Sequence, residues 1–289
     1  MSIPTIFSKP EDSSASWKIE DSTVSTDELS VPAGYAADLF DLKGRVAVVT
    51  GGGSGLGAAM SIGLAQVGVA VVIADVNLAG AEATHTTITE QNGKSVAALL
   101  DVTSRNAVVA LADKVERDFG RVDILINSAG SAFRSPAEDF PEDKLDFILN
   151  LNLKGTYLCC QAFGQKMLSQ GKGSIINVAS IGSFTAYPWA SAYLASKGGV
   201  LQLTKALALE WRTRGVRVNG IGPTLMDSPL VRAAALKSSV TSDFIKARMI
   251  RPRLGLPREL IGTAIFLASD ASELVTGHIV MCDDGYLTA

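Results

Sequence analysis

The stretch Val46-Ala47-Val48-Val49-Thr50-Gly51-Gly52-Gly53-Ser54-Gly55-Leu56-Gly57 decides the fold of this 289-residue chain. A short β-branched run enters a glycine cluster, and apolar residues at helical spacing follow from Ala58 to Val67. That order predicts a strand, a sharp turn and a helix. Glycine lets the backbone turn tightly and come close to a pyrophosphate, while free N–H groups opening the helix favour its negative charge. A tight turn wants glycine on steric grounds alone, so the cluster by itself does not identify a nucleotide site. Asp75 adds the missing context. It closes the next strand, 24 residues after Gly51, where a carboxylate can accept hydrogen bonds from a ribose diol. It repels a 2′-phosphate, and Gly52, Gly53 and Val76 offer no cation to attract one. NAD is therefore expected rather than NADP.

Outward from this turn, strand-like runs recur at Val69–Ala74, Ser95–Leu100, Asp123–Asn127, Ser174–Ala179, Val216–Ile221 and His278–Cys282, with longer helical stretches between them. Most of the runs are continuously apolar, as in a parallel sheet covered on both faces. The expectation is an α/β fold: a single Rossmann-type doubly wound domain over residues 41–289, about seven parallel strands flanked by helices on both faces. Open sheets of this kind bind ligands at the C-terminal ends of their strands. Asp101-Val102 and Asn127-Ser128-Ala129-Gly130 fall at that edge, although each is also ordinary turn chemistry.

Composition narrows the partners. Hydrophobic residues make up 47% and charged residues 19%, ample for one sizeable core, and the formal net charge of −3 gives no basic field for a nucleic-acid backbone. No apolar run reaches the roughly 18 residues that a membrane span needs. Residues 1–40 read as a polar, acidic N-terminal extension. Glu11, Asp12, Glu20, Asp21, Asp27, Glu28 and Asp38 outnumber Lys9 and Lys18 there, unlike an Arg-rich transit peptide or a secretory signal. It is expected to be loosely docked or, alternatively, to wrap a neighbouring subunit. Three cysteines, two of them the adjacent Cys159 and Cys160, cannot frame a disulfide scaffold. A cytoplasmic protein is expected. His85 and His278 are the only histidines and no Cys or carboxylate cluster has ligand spacing, so no metal is expected, and a Ser hydrolase lacks its base.

The chemistry lies further along. Ser180 follows the fifth run, and Tyr193-Leu194-Ala195-Ser196-Lys197 heads a long helical stretch. Tyr193 and Lys197, at i and i+4, face the same way. A phenol of ordinary pKa about 10 needs roughly 4 kcal/mol of differential stabilisation to act as a base near pH 7. An ammonium and an oxidised nicotinamide can supply it, and a serine hydroxyl can hold the substrate oxygen.

With TGGGSGLG at Thr50 to Gly57, NSAG at Asn127 to Gly130, the Asn152 region, Ser180 and YLASK at Tyr193 to Lys197, the chain resembles the short-chain dehydrogenase/reductase family over about residues 40 to 289. The resemblance implies a catalytic tetrad of Asn152, Ser180, Tyr193 and Lys197. Tyr193 would be the acid/base, Lys197 would bind the nicotinamide ribose and lower the Tyr pKa, Ser180 would orient the reacting oxygen, and Asn152 would hold a water that leads protons out. It implies cofactor contacts at Gly51, Ser54, Gly55, Leu56, Gly57, Asp75, Asp101, Val102, Asn127, Ala129, Gly130, Tyr193, Lys197, Pro223, Met226 and Ser228, and a homotetramer or homodimer.

Three positions depart from the family pattern. Ser128 replaces the second Asn of Asn-Asn-Ala-Gly, Thr224 replaces Gly after Pro223, and Tyr286 replaces the last Gly of Asp-Gly-Gly. Thr cannot adopt positive φ cheaply, so the backbone after Pro223 is expected to take a different path. The substrate wall is expected from Ser131, Ala132, Phe133, Ser183, Phe184, Tyr187, Trp189 and the loop after Pro223. Arg232, Lys237, Lys246, Arg248, Arg251 and Arg253 stand against Asp227 and Asp243, which reads as a solvated lid face or an anion site. The expected reaction interconverts a secondary alcohol and a ketone on a small molecule, and the chain most resembles family members acting on sugars, sugar acids and polyols. An NADPH-dependent reductase of acyl or cyclic ketones and a non-catalytic dinucleotide sensor remain as alternatives.

Overall fold

A computed structural model describes residues 30–235 and 239–288. Most of the extension expected over residues 1–40, and Lys237 of the basic segment, lie outside the described residues. Ahead of Leu39 the described chain carries α1 (Tyr35–Asp38). From Leu39 onward the chain is one compact unit.

In that unit β1 (Val46–Thr50), α2 (Gly55–Gln66), β2 (Ala70–Asp75), α3 (Leu78–Glu90), β3 (Lys94–Leu99), α4 (Arg105–Phe119) and β4 (Ile124–Asn127) alternate. The second half continues through α5 (Glu142–Leu149), α6 (Thr156–Gln170), β5 (Gly173–Val178), α7 (Ser191–Trp211), β6 (Val216–Pro223), α8 (Pro229–Ala235), α9 (Ser239–Lys246), α10 (Ile261–Ala268) and β7 (Ile279–Cys282). The strands form one 7-stranded sheet in the order β3-β2-β1-β4-β5-β6-β7, every pair parallel. Chain direction through the sheet reverses between β1 and β4, which opens a crevice at their C-terminal ends.

The strands sit within two residues of their expected bounds. Alternate side chains serve two cores. Val48, Val72, Leu125, Ile175 and Val218 pack with Leu111, Phe163 and Leu207 of α4, α6 and α7. Val49, Ile73, Ile126, Ile176 and Ile221 pack with Leu64, Ile88 and Leu267 of α2, α3 and α10. That two-sided burial is why β1, β4, β5 and β6 read as unbroken apolar runs. β3 is the exception. It is an edge strand, and Val96 and Leu99 are exposed.

The register aligns Thr50 with Asn127 and Asn127 with Asn177. Inside the sheet Asn127 Nδ2 donates to Asn177 Oδ1 at 2.9 Å and to Cys160 Sγ at 3.2 Å, and Asn177 Nδ2 donates to Thr204 Oγ1 at 3.0 Å. Between α5 and α6 the chain widens into a π-helical turn over Asn150–Gly155. Such bulges often mark functional sites. No spacing in the sequence announces this one, because the helical path runs on through it.

Candidate active site

The edge where the strands end opens a cleft of about 790 Å³. Its first half is made of backbone. Gly51 (φ +65) and Gly55 (φ +53) take conformations that suit glycine, and a Cβ on Gly51 would lie 2.8 Å from the backbone of Ala129. Ser54 is the N-cap of α2 but makes no side-chain cap hydrogen bond, which leaves the first-turn amides available to an anion. Asp75 accepts from Gly53 N at 2.9 Å and from Asn77 N at 2.8 Å, so its carboxylate is held in place. Gly51, Ser54, Gly55, Leu56, Asp75, Asp101, Val102, Ala129 and Gly130 line this half. A glycine cradle, an uncapped helix start and a fixed carboxylate fit a dinucleotide.

Ser180, Tyr193, Lys197, Pro223, Met226 and Ser228 line the other half. Gly57, Asn127 and Asn152 do not line the cleft and stand behind its wall. A Cβ on Gly57 would run into the carbonyl of Gly51, so that glycine serves helix–strand packing. The Nδ2 of Asn127 is engaged in the sheet, and its Oδ1 is buried without a hydrogen-bond partner among the described residues. Asn152 brackets Ser131, accepting from its N–H and donating to its carbonyl, both at 2.9 Å, and also donates to Ser196 Oγ at 3.0 Å. Ser196 in turn donates to the Tyr193 carbonyl at 2.7 Å. The π-helical turn thus ties the loop after Gly130 to the first turns of α7. The amide of Asn152 reaches Ser131 and Ser196.

Tyr193 and Lys197 share one face of α7, with the Lys197 Nζ 5.9 Å from the Tyr193 ring centroid. That ammonium donates to the Val178 carbonyl at 2.6 Å, and burial pulls its pKa down to about 8. Burial pushes the Tyr193 phenol above its usual range, while a hydrogen bond with Ser180 and the charge of Arg134 pull it back. Ser180 also pairs with the Tyr187 phenol.

Arg134 escaped the sequence reading, which placed Ser131, Ala132 and Phe133 on the wall and ended one residue earlier. Its guanidinium carbon lies 5.4 Å from the Tyr193 ring centroid and 5.5 Å from that of Tyr187, and it hydrogen-bonds the Tyr187 phenol. Its Nη1 is buried without a partner among the described residues. The only sequence signal was a lone cation in the loop SAFRSP. Ser131 lines the cleft, and Ser183 Oγ donates to the Lys197 carbonyl at 2.8 Å. Phe133 packs edge-on against Phe140. Phe184 and Trp189 are exposed, with Trp189 held at φ +61, a strained backbone for a bulky side chain.

The loop after Pro223 pairs Met226 with Gly255, and Thr224 avoids positive φ. The basic segment is largely paired: Arg232 with Asp227, Arg251 with Asp284, Arg253 with Glu259, while Arg248 stacks on Phe244. Among the described residues no His, Cys, Asp and Glu gather into a metal-binding group, and no helix is long and apolar enough to cross a membrane.

A dinucleotide cradle joined to a cleft-lining Tyr-Lys pair defines a nicotinamide-dependent oxidoreductase. A family model described as enoyl-(acyl carrier protein) reductase matches residues 51–287, and the chain belongs to the short-chain dehydrogenase/reductase family. It is 41% identical over 247 residues to the D-threitol dehydrogenase of Mycolicibacterium smegmatis, covering 86% of this chain and 94% of that one. It is 35% identical to the gluconate 5-dehydrogenase of Gluconobacter oxydans, covering 86% and 96%. A solved gluconate 5-dehydrogenase from Burkholderia cenocepacia, in complex with NADP and tartrate, superposes with a TM-score of 0.83 at 36% identity, covering 88% of this chain and 99% of that one.

Proposed function

We propose that this chain is an NAD-dependent dehydrogenase that interconverts a secondary alcohol and its ketone on a sugar, sugar acid or polyol. The observation that carries the reading is the half-buried Tyr193 phenol, hydrogen-bonded to Ser180 and one helical turn from the Lys197 ammonium, at one end of a cleft whose other end is the glycine cradle. Gly51, Gly55 and the start of α2 would hold the pyrophosphate, Asp75 the adenosine ribose, and Lys197 the nicotinamide ribose. Bound nicotinamide supplies the hydride acceptor, or the donor in reverse.

This chain's residues handle the proton. Ser180 hydrogen-bonds the substrate oxygen and sets its distance from Tyr193. As the carbinol loses its hydride, the phenolate of Tyr193 takes the hydroxyl proton, so one C–H and one O–H bond break and a carbonyl forms. The ammonium of Lys197 and the guanidinium of Arg134 favour the phenolate. Asn152 keeps its neighbours in register. The threitol and gluconate relatives support a polyhydroxylated substrate, and Arg134, with a donor to spare, suits oxygen-rich molecules.

A second reading, NADP, is favoured by the Burkholderia relative, whose structure carries that cofactor. Against it stands the carboxylate of Asp75, which repels a 2′-phosphate. Three free thiols support a reducing, cytoplasmic setting, and exposed Leu145, Phe147 and Tyr157 on α5 and α6 support a homo-oligomer. The test is a panel of secondary alcohols, polyols and sugar acids with NAD and with NADP, read by absorbance of the reduced cofactor. Turnover of polyols with NAD is expected. Strong NADP preference would refute the reading of Asp75, and cofactor binding without any turnover would make the protein a sensor.

A further inference from the structure

Ser180 is hydrogen-bonded to two phenols. One is Tyr193, the proposed acid/base, and the other is Tyr187, which is only 7% exposed. The reaction proposed above uses the first and leaves the second without a role. Tyr187 belongs to a small cluster with Ile181, Ala190 and Ile245, against which Tyr193 also packs. Its oxygen reaches the turn after β5, where a Cβ on Gly182 would come 3.0 Å from it and 3.4 Å from Ser180 Oγ.

Donor and acceptor capacity gives this chain of hydrogen bonds a direction. Arg134 bonds the Tyr187 oxygen, and a guanidinium can only donate. Of the two partners of Tyr187, Ser180 alone can accept its proton. A serine hydroxyl accepts two hydrogen bonds and donates one. Ser180 Oγ accepts from Gly182 N at 3.0 Å, and Tyr187 takes the second acceptor place. What Ser180 has left is its own proton, so its bond to Tyr193 is one that Ser180 donates. A bond donated to Tyr193 favours the phenolate, whereas one accepted from Tyr193 would favour the neutral phenol. Burial keeps Tyr187 itself protonated, and it does not compete as a base.

We propose that Tyr187 is a positioning residue: held by Arg134, it fills the acceptor side of Ser180 and turns the one Ser180 proton toward Tyr193 and the substrate oxygen. With an alcohol bound, Ser180 then donates to the alcohol oxygen. The substrate hydroxyl finds no acceptor on Ser180 and presents its proton to the Tyr193 phenolate. In this role Tyr187 transfers no proton itself. The proposal rests on the reading of Tyr193 as the base, and goes beyond it in giving a second phenol the task of orienting Ser180.

The test is Tyr187→Phe in the full chain, which keeps the ring and removes the hydroxyl. The charged and titratable groups around Tyr193 are Lys197 on its own helix, Arg134 from the loop after β4, Tyr187 from the segment before α7 and Tyr286 from the turn after β7. All but Tyr187 remain in the variant. With the best alcohol of the panel, the acidic limb of kcat/KM is expected to move up by about half a pH unit or more. Near pH 7 kcat should fall by about three- to tenfold and recover at higher pH. KM for the alcohol and the NAD dissociation constant should stay within about twofold. Ile245→Val, which loosens the same cluster without removing a hydrogen bond, should lower the thermal midpoint and leave the acidic limb in place. An unmoved limb in Tyr187→Phe overturns the proposal. So does an equal displacement in Ile245→Val, which would trace the effect to packing, or a raised KM with kcat and the limb intact, which would make Tyr187 a substrate contact. If the unmodified enzyme oxidises no alcohol, the reading of Tyr193 as the base fails and this proposal with it; turnover with an unmoved limb overturns the positioning alone.

Discussion

The two halves of the cleft are built from different materials. On the nucleotide side the ligand-facing groups are backbone: glycines at positive φ, the open start of α2 and one carboxylate tethered by two amides. On the side proposed for substrate the cleft is lined by side chains drawn from distant segments, Ser180, Tyr193 and Lys197, with Arg134 packed against the Tyr193 ring. A backbone site depends on the absence of side chains and tolerates nothing added. A side-chain site depends on particular atoms, and removing one can leave the fold unchanged.

The largest effect that sharpens this contrast is expected from Tyr193→Phe. It deletes one oxygen from the substrate half and nothing from the cradle. Turnover should fall by about 100- to 10,000-fold, the usual worth of a positioned acid/base. NAD affinity, followed by fluorescence titration, should stay within twofold. Comparable losses of turnover and NAD binding would mean that the two halves are not separable.

Next in size, Asp75→Ser removes the one side chain on which the nucleotide half depends. Without the carboxylate the repulsion of a 2′-phosphate disappears, and the ratio of kcat/KM for NAD over NADP is expected to drop by roughly tenfold or more. Steady-state kinetics with both cofactors measures it. An unchanged ratio would place cofactor choice elsewhere.

Arg134→Met breaks the substrate half more gently. The guanidinium helps hold the Tyr193 phenol down against the effect of burial. Without it the phenol pKa rises, so the acidic limb of kcat/KM for alcohol oxidation should move to higher pH. Activity near pH 7 should fall about tenfold and recover partly at higher pH. A simple loss of substrate affinity at every pH would leave Arg134 a binding group only.

The same contrast explains what could be read from the residues alone. Strands and helices of the sheet were legible because two-sided burial writes continuous apolar runs, and the cradle was legible because close backbone approach demands glycine at fixed spacing. Tyr193 and Lys197 were legible because helical geometry ties i to i+4. Arg134 was not, since a loop residue reaches the site by a path with no period, and the Asn152 bracket was not, since a π-helical turn leaves the helical pattern intact. Thr224 and Tyr286 were visible only as deviations. The burial that leaves their hydroxyls without partners among the described residues depends on how β6 and β7 pair.

The smallest expected effect concerns stability, and it arises from the ammonium buried in the substrate half. Burial pulls the pKa of Lys197 to about 8, below the ordinary lysine value of about 10.4. Between those values the unfolded chain binds more protons at this position than the folded one, so Lys197 makes folding more favourable as pH rises through the window. Tyr187 and Tyr193 oppose it above about pH 10, because burial raises both phenols and the unfolded chain then gives up its protons first. The thermal midpoint of the cofactor-free enzyme, relative to that of Lys197→Met, should therefore climb by a few degrees from pH 8 to pH 10 and then flatten. Differential scanning calorimetry of the two proteins across that range reads the difference directly. A constant offset would mean that the ammonium keeps its ordinary pKa in the cleft.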